Sequence, residues 1–480
     1  MKPFASDKIA ISGGIIFSII LSISIYFEFM WLALLPVVII LLWWSIKRMD
    51  LFIGALLIAV PLSLNMQEFS YSMPGLYLPT EPMLLGLLIL FILRSCKGYP
   101  VDKRIFTHPI TYVIGCMMLW MAITVVTSYD MLVSIKFFIS RSWFIVGFFF
   151  IVGHILLTKP KFREHMIMLL LFPLVIVIIY TVVRHAGHDF SKHAGHWMMK
   201  PFFKDHTSYG AVLAMLIPPT IALLLKKDRP GITRVLLGIS AIVLTIGIVF
   251  SFTRAAWVSL AGVAVLFAAM KMGFKFKQLA FVGILVASLF WINQDSILIE
   301  LQRNKQDSSD NLTEHVESIS NVSSDDSNLE RLNRWNCAIS LFKERPILGW
   351  GPGTYQFVYA PFQEAKYQTL ISTNNADGGN AHSEYLGPLA EQGIFGPIFM
   401  LLLFWYVCVL GFRLWNEVKD IKTRNLAVSV YLGLMTYFIH GVLNNYLDTD
   451  KASAPFWGFI ALLVVLDIEL REKKKKEITS

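Results

Sequence analysis

The sequence predicts an all-α polytopic membrane protein with about 12–14 transmembrane helices and one large outward loop that contains short helices. Composition is the first observation, because 55% of the 480 residues are hydrophobic and only 16% are charged. The second is the recurrence of apolar runs of about 17 to 22 residues, each able to cross a roughly 30 Å hydrocarbon core as a helix. The third is that Lys and Arg cluster between alternate runs, which is typical of multi-pass proteins.

Fourteen apolar runs are predicted to be spans. The first has no small-residue cleavage site and is interpreted as a retained span, not as a signal peptide. In chain order the runs are residues 9–26, 30–46, 51–66, 80–95, 109–127, 134–157, 164–183, 208–225, 232–250, 254–271, 277–293, 394–412, 425–443 and 452–469.

The basic residues also predict the orientation, because Lys and Arg beside a span resist translocation. They fall on one side, which includes the segments 159–163, 226–234, 413–424 and 471–476. Both termini are therefore predicted to be cytoplasmic. The net charge of +9 indicates contact with anionic lipids and not with nucleic acid.

Three parts of the chain follow from this topology. Residues 1–293 are predicted to form transmembrane helices with short loops, and residues 392–480 the C-terminal transmembrane helices and a basic cytoplasmic tail. Residues 294–391 are the large outward loop, where we expect recognition and chemistry. Of the four cysteines only Cys337 lies in this loop, so we expect neither a disulfide framework nor a zinc spacing.

The outward loop has two different halves. Residues 304–328 are polar and poor in aromatic residues, and we expect them to be disordered or variable. From residue 328 onwards apolar residues recur at three- and four-residue steps, which predicts an amphipathic helix. Arg331 and Arg334 lie on neighbouring turns of it and are able to grip one diphosphate. A solvated helix face or an interfacial anchor explains them equally well.

A glycine-rich turn follows, with the sequence Gly349-Trp350-Gly351-Pro352-Gly353-Thr354-Tyr355. Its backbone amides are candidates to approach an anionic ligand. It lacks the Lys and Ser or Thr of a nucleotide-binding loop, and turn geometry alone explains the glycines equally well. Trp350, Gly351, Gly353 and Tyr355 are therefore candidate substrate-loop residues.

His382 is predicted to lie where the loop meets a helix that leads to Glu391 and the next span. A neutral imidazole at the membrane surface can accept a proton from a reacting hydroxyl. A lone histidine is more often a capping or hydrogen-bonding residue, and that alternative stays open. Glu391 joins the candidate substrate-loop residues.

Charged residues within or beside spans are costly and usually face a cavity or a partner. Arg254 follows Ser251-Phe252-Thr253 at the outer surface, where topology alone would not place an arginine. Arg141 lies about ten residues inward from Asp130. For Arg141, a buried structural ion pair is as good an explanation as ligand contact.

Two His-x-x-His pairs lie on another outward loop, formed by His185 with His188 and by His193 with His196. Such pairs can bind zinc or copper. Each has a glycine before its second histidine and no acidic or cysteine partner in fixed spacing, which favours a polar loop. No metal site is therefore predicted.

Taken together, these features resemble the bacterial O-antigen ligase and O-antigen polymerase superfamily. The resemblance covers roughly residues 205–465 and rests on four segments in this order. They are Asp205-His206-Thr207-Ser208-Tyr209-Gly210, Ser251-Phe252-Thr253-Arg254, residues 331–355, and residues 382–396.

The resemblance implies a membrane enzyme that moves a glycan from an undecaprenyl-diphosphate carrier to an acceptor hydroxyl on the periplasmic face of the bacterial inner membrane. It implies that His382 is the catalytic base or positions the acceptor, and that Arg254, Arg331 and Arg334 bind the diphosphate. Arg141 is a further candidate for that role. The acceptor is lipid A-core if the protein is a ligase, or a second lipid-linked glycan if it is a polymerase.

The expected chemistry is inverting transfer without a metal or other cofactor, since a glycosyl diphosphate already carries a good leaving group. A transporter of lipid-linked glycans is the alternative from another class, because it too needs many spans and cationic groups. Transporters usually place their charges at the midplane, whereas the cations here are predicted to lie at the outer surface.

Overall fold

The computed structural model describes residues 12–15, 17–19, 21–23, 26, 35–69, 75–292, 326–365, 368, 372–373 and 379–479. These residues form two compact units, Met1–Leu56 and Leu57–Ser480. The cavities discussed below belong to the second unit. The predicted span 9–26 lies partly outside the described residues, and the predicted polar segment lies outside them up to residue 325.

Helices dominate the described part of the chain, and the only strands there are the antiparallel pair β1 (Leu64–Asn65) and β2 (Tyr77–Leu78). The first helices are α1 (Leu35–Lys47), α2 (Met49–Leu62), α3 (Thr80–Ser95), α4 (Lys103–Phe106) and α5 (Pro109–Val126). Helix α6 (Met131–Thr158) contains a π-helical segment, Ile145–Ile151. Next come α7 (Phe162–Ala186), α8 (Lys192–Gly195), α9 (His206–Leu224), α10 (Gly231–Val249), α11 (Arg254–Lys271) and α12 (Phe276–Ile292). The last are α13 (Asp326–Glu344), α14 (Tyr355–Val358), α15 (Leu386–Gln392), α16 (Phe395–Glu417), α17 (Ile421–His440) and α18 (Asp450–Thr479).

Eight of the described helices are long and apolar enough to cross a membrane, namely α5, α6, α7, α9, α10, α11, α16 and α18. The predicted spans 30–46, 51–66, 80–95, 277–293 and 425–443 also fall on helices, which are α1, α2, α3, α12 and α17. Those helices are shorter or more polar than the eight. The prediction of an all-α polytopic membrane protein is confirmed.

Helix α18 lies at the centre of the second unit, and 89% of its apolar window is buried. Such burial is expected of a helix that is apolar on every side. Its aromatic residues Phe456, Trp457 and Phe459 are almost fully buried. Helices α6, α16 and α17 pack against it, and α9 packs most extensively against α17. The ends of these helices form the walls of the cavities described below.

The described part of the predicted outward loop has its own small core. Helix α13 confirms the predicted amphipathic helix and begins at Asp326, slightly earlier than expected. Its buried face packs against α15 and against α14 with the short 3-10 helix Ala360–Phe362. The core consists of Cys337, Ala338, Leu341, Tyr355, Val358, Tyr359, Ala381 and Ala390. This core joins helix α13 to the described segments 355–359 and 381–390 of the loop.

Candidate functional site

A cavity of about 260 Å³ lies where the loop meets helices α5, α6, α16 and α18. Its apolar wall comes from the spans and includes Met117, Met121, Met400 and Trp457. Its polar wall carries charged groups of both signs, Arg141, Lys204, Glu384, Glu391 and Asp448. A ligand with a polar group beside an apolar one fits such a lining.

Arg141 lies on α6, four residues before its π-helical segment. Segments of this kind are frequent near functional sites. One terminal nitrogen, Nη1, donates a hydrogen bond to the Leu447 carbonyl oxygen at 2.9 Å. The guanidinium carbon lies 5.4 Å from the centre of the Phe137 ring. The side chain thus lines the cavity and is held by a carbonyl group and an aromatic ring.

The glycine-rich turn is fastened to the end of α15. The amides of Trp350 and Gly351 donate to the carbonyl oxygens of Ala390 and Glu391 at 3.1 and 2.8 Å. The Tyr355 amide donates to Glu391 Oε1 at 3.1 Å. These amides are engaged within the protein, which favours turn geometry over direct anion binding as the reason for the glycines.

Close packing explains the glycine at position 351. Its φ is +108°, a left-handed conformation that suits glycine. A Cβ atom there would lie only 2.0 Å from Ser128 Oγ. The neighbouring carbonyl oxygens of Trp350 and Pro352 accept hydrogen bonds from the Tyr129 amide and the Ser134 hydroxyl, both at 2.8 Å. The turn therefore joins the loop to the start of α6.

Glu391 is a buried carboxyl group that faces the cavity. Burial raises its pKa to about 7, although hydrogen bonds from the amides of Gly353 and Tyr355 and the charge of Arg141 oppose the change. Near neutral pH it is therefore partly protonated. Glu391 therefore holds the turn in place and also contributes a titratable carboxyl group to the cavity wall.

Glu384 was not singled out from the sequence, yet it joins three segments. Its Oε1 accepts hydrogen bonds from the Tyr437 hydroxyl at 2.6 Å and from the amides of Tyr446 and Leu447 at 2.8 and 3.0 Å. Burial raises the pKa of this carboxyl, and the charge of Arg141 opposes the change. It shapes the connection between α17 and α18 that forms one side of the cavity.

His382 has a left-handed backbone, with φ of +47°, which is uncommon for a residue other than glycine and often marks a functional site. Its amide donates to Asn380 Oδ1 at 3.0 Å, and its carbonyl oxygen accepts from Trp335 Nε1 at 3.4 Å. Burial, together with the charges of Arg331 and Arg334, lowers the pKa of its imidazole to about 4. The ring is therefore neutral at pH 7, as a proton acceptor requires.

His382 itself does not line the 260 Å³ cavity, but its neighbours Ala381 and Ser383 do. The carboxylate of Asp205 opposes the effect of the arginines on the pKa of His382. Asp205 caps α9, where it accepts hydrogen bonds from the amides of Thr207 and Ser208 at 2.9 and 2.8 Å. Burial alone would raise the pKa of this carboxyl, but hydrogen bonds from the Thr207 hydroxyl and the Ser208 amide, with the charge of Lys204, outweigh burial and lower it.

The two arginines of α13 have different surroundings. Arg334 is almost fully buried and forms a short ion pair with Glu330. Its Nη2 donates to Thr373 Oγ1 at 3.0 Å, and its guanidinium lies 3.9 Å from the centre of the Tyr359 ring. Arg331 is only partly buried, and its charge acts on His382. The structure thus favours a structural role for Arg334 and leaves Arg331 as the better candidate for ligand contact.

Arg254 is the first residue of α11. The preceding Thr253 donates from its hydroxyl to the His206 carbonyl oxygen at 2.9 Å. This contact places the start of α11 beside the start of α9, where Asp205 lies. Arg254 does not line the 260 Å³ cavity.

The sequence-predicted residues therefore fall into groups. The cavity brings together Arg141, Gly353, Tyr355 and Glu391, while Arg331, Arg334 and His382 are electrostatic neighbours. Trp350 and Gly351 lie in the turn behind the cavity wall. Lys204 and Asp448 line the cavity but were missed. Lys204 could have been recognised from the sequence, because it directly precedes the segment that begins with Asp205 and was predicted to lie at the outer surface.

The histidine-rich loop shows internal contacts. His185 Nε2 lies 2.8 Å from the Ser191 carbonyl oxygen. The rings of His196 and His206 stack with centres 4.3 Å apart. Among the described residues, no group of three or more His, Cys, Asp or Glu side chains is arranged to hold a metal ion.

These features define a multi-pass helical membrane protein with a polar and apolar cavity beside a folded loop. A family model described as O-antigen ligase matches residues 239–401. This match, over roughly a third of the chain, confirms the resemblance to the O-antigen ligase and O-antigen polymerase superfamily. The match supports a membrane glycosyltransferase of the O-antigen ligase or polymerase type. No curated protein matches the sequence.

Proposed function

We propose that the protein transfers a glycan from an undecaprenyl-diphosphate carrier to an acceptor hydroxyl on the periplasmic face of the bacterial inner membrane. The observation that carries this proposal is the cavity, whose charged wall lies beside methionine and aromatic side chains of the spans. A lipid diphosphate likewise combines a charged group and a hydrocarbon chain in one molecule. Every site residue predicted from the sequence except Arg141 lies within the range that matches the family model.

The donor diphosphate is proposed to bind at the polar wall through Arg141, with Arg331 and Arg254 contributing from the neighbouring helix ends. Guanidinium groups bind phosphate oxygens through paired hydrogen bonds. Their charge stabilises the diphosphate as it leaves, which is the main electrostatic demand of this reaction. On this proposal the step needs no metal, because the leaving group is already good.

His382 is proposed to accept the proton of the acceptor hydroxyl as that oxygen attacks the anomeric carbon. The bond from that carbon to the diphosphate oxygen breaks, and the carrier departs with both phosphates. Attack from the face opposite the leaving group inverts the anomeric configuration. Because the pKa of His382 is about 4, its imidazole is neutral at pH 7 and has a free nitrogen lone pair for that proton.

The acceptor proposed is lipid A-core, which makes the protein an O-antigen ligase in lipopolysaccharide biosynthesis. The alternative is a second lipid-linked glycan, which would make it a polysaccharide polymerase. The topology that goes with either has both termini in the cytoplasm and residues 294–391 as the periplasmic loop, between transmembrane segments 1–293 and 392–480. The basic segments at one end of the spans support this orientation.

Replacement of His382 by Ala tests the catalytic proposal. We expect the purified variant to stay folded, to bind the lipid-linked donor, and to lose transfer by at least about 100-fold, within the range ascribed to a general base. His193→Ala is the matched control, because His193 is an exposed histidine outside the cavity. Retention of full transfer by His382→Ala would reject the role of His382 as the base.

The acceptor is tested by offering the purified protein a lipid-linked glycan with either lipid A-core or a second lipid-linked glycan. Formation of glycan-bearing lipid A-core supports the ligase. Longer lipid-linked chains without that product support the polymerase.

A further inference from the structure

A second cavity, of about 420 Å³, lies at the other end of the helices that surround the candidate site. Helix α9 begins near the candidate site and ends here, and with its 19 residues it is about 28 Å long. The α6–α7 turn, the start of α7, the loop after α9 and the start of α17 meet at this cavity. It is therefore separate from the proposed glycan-transfer site.

Five Lys or Arg side chains line this cavity: Lys161, Arg163, Lys226, Arg229 and Lys422. Three carboxylates hold four of them in place. Glu164 accepts from Lys226 at 2.8 Å and from Arg229, Glu469 pairs with Arg163, and Asp228 accepts from Lys422 at 2.7 Å. The cations outnumber these carboxylates, so the cavity keeps an excess of positive charge.

Arg229 is the most informative of these residues. Its side chain is only 8% exposed, and an arginine buried to that degree usually has all its nitrogens engaged. Its Nε atom has no hydrogen-bond partner among the described residues. A further anionic oxygen in the cavity would satisfy it.

The backbone adds to this charge. Helix α7, which is 25 residues long, begins at the cavity without a hydrogen bond from a capping side chain. The N-terminus of a long helix has a partial positive charge and favours phosphate groups. Met168, Leu426 and Leu466 form an apolar side of the same cavity.

Topology alone does not account for this arrangement. The positive-inside rule explains why basic residues lie in loops at one end of the spans. It does not require three separate loops to bring their cations to one cavity, or an arginine there to be buried. Basic pockets between transmembrane helices are a recognised type of lipid headgroup site.

We propose that this cavity binds a phosphate group, carried either by an anionic lipid headgroup or by free inorganic phosphate. The excess of cations, the buried Arg229 and the uncapped helix end recognise the anion. The apolar side chains accommodate the neighbouring lipid if the phosphate belongs to one.

The test is native mass spectrometry of the full-length protein in detergent with dioleoyl phosphatidylglycerol, and with zwitterionic dioleoyl phosphatidylethanolamine for comparison. The test variant is Lys161→Gln combined with Lys422→Gln, which changes two exposed cations and leaves the pairs of Arg163 and Arg229 intact. Lys419→Gln is the matched control, because Lys419 lies at the same end but is 91% exposed and outside the cavity. We expect the double variant to retain at least about threefold less phosphatidylglycerol than the control, which corresponds to about 0.6 kcal/mol.

Arg229→Lys provides a second variant that keeps the charge but loses the planar group, and it too should retain less phosphatidylglycerol. Phosphatidylethanolamine carries the same phosphate with an added positive charge, so we expect the native protein to retain less of it. Equal retention of phosphatidylglycerol by the double variant and the control would overturn the proposal. Addition of inorganic phosphate distinguishes the sources. Displacement of the lipid assigns the site to phosphate in general, and persistence of the bound lipid assigns it to a headgroup.

Discussion

The low pKa of His382 leads to a prediction that separates a working base from a structural histidine. Burial, assisted by Arg331 and Arg334, brings this pKa to about 4 from the ordinary value of 6.5. The gap of about 2.5 pH units corresponds to about 3 kcal/mol against the protonated ring. The acid limb of transfer should therefore have its midpoint near pH 4, and the rate due to this group should be flat from about pH 5.5 to 8.

The change to make is Arg331→Gln, which removes one of the two positive charges that act on His382. Because a nearby like charge disfavours the imidazolium form, its loss should raise the pKa of His382. Burial is the larger cause, so we expect a rise of about one pH unit and not a full return to 6.5.

The assay is a titration of ¹³C-labelled histidine by NMR on the purified protein, with His382→Gln to assign the signal. A pH profile of single-turnover transfer accompanies it, for as long as Arg331→Gln keeps measurable activity. Lys343→Gln is the control, because Lys343 is an exposed cation near the end of the same helix. An acid midpoint near 6.5 in the native protein, or the same His382 pKa in Arg331→Gln as in Lys343→Gln, would refute the reasoning.

The same pKa has a consequence for stability. When the pH falls below 6.5, the unfolded chain takes up a proton at this histidine before the folded protein does. Folding stability should therefore be lost progressively between pH 6.5 and 4, by up to about 3 kcal/mol from this group. His382→Gln should remove that part of the pH dependence, which denaturation in detergent at several pH values would measure.

Three further predictions concern the cavity and its supports. Arg141→Gln should lower transfer by about 10- to 100-fold, because a contact with the diphosphate is lost. Lys136→Gln is the control, because Lys136 is a cation on the same helix outside the cavity; equal activities of the two variants would exclude Arg141 from the site. Gly351→Ala should destabilise the protein by about 1–3 kcal/mol, because the new Cβ would meet Ser128 and the φ of residue 351 is +108°. Gly86→Ala is the control and should not destabilise the protein, because Gly86 has open space around it; equal melting temperatures of the two variants would contradict this prediction. Glu391→Ala leaves amides of the turn without their acceptor and should lower the free energy of unfolding by about 1–3 kcal/mol. Glu391→Gln keeps an acceptor oxygen and should lower it less; an equal decrease in both variants would show that the carboxylate charge matters more than the hydrogen bonds.

Much of the fold follows from local sequence because a bilayer leaves few alternatives. Backbone groups in hydrocarbon must be hydrogen-bonded internally, so a long apolar run can only become a helix. The amphipathic helix α13 was also predictable, since the three- and four-residue steps need no tertiary partner to be recognised. The helices α3, α12 and α17 show the limit of predicting spans from local sequence. They are helical as predicted, but they are shorter or more polar than the eight clear spans.

The candidate site was only partly predictable, for reasons that particular residues make clear. Arg331 and Arg334 have the same local pattern, yet Arg334 contacts Glu330, Thr373 and Tyr359. Glu330 lies one helical turn away, but spacing along one helix cannot reveal Tyr359 or Thr373, which come from outside that helix. The glycines of the turn were recognised, but their contacts with α15 and α6 were not.

By itself the sequence determined that the chain is an all-α membrane protein, and it predicted which basic segments share one side of the membrane and which loop carries the candidate residues. These properties depend on the transfer of side chains and backbone between water and lipid, which each segment experiences almost independently. Only the tertiary structure decided that Lys204, Glu384 and Asp448 join Arg141 at the cavity, and that five cations converge at the far end. Those arrangements arise from packing between segments distant in the chain, which no local pattern encodes.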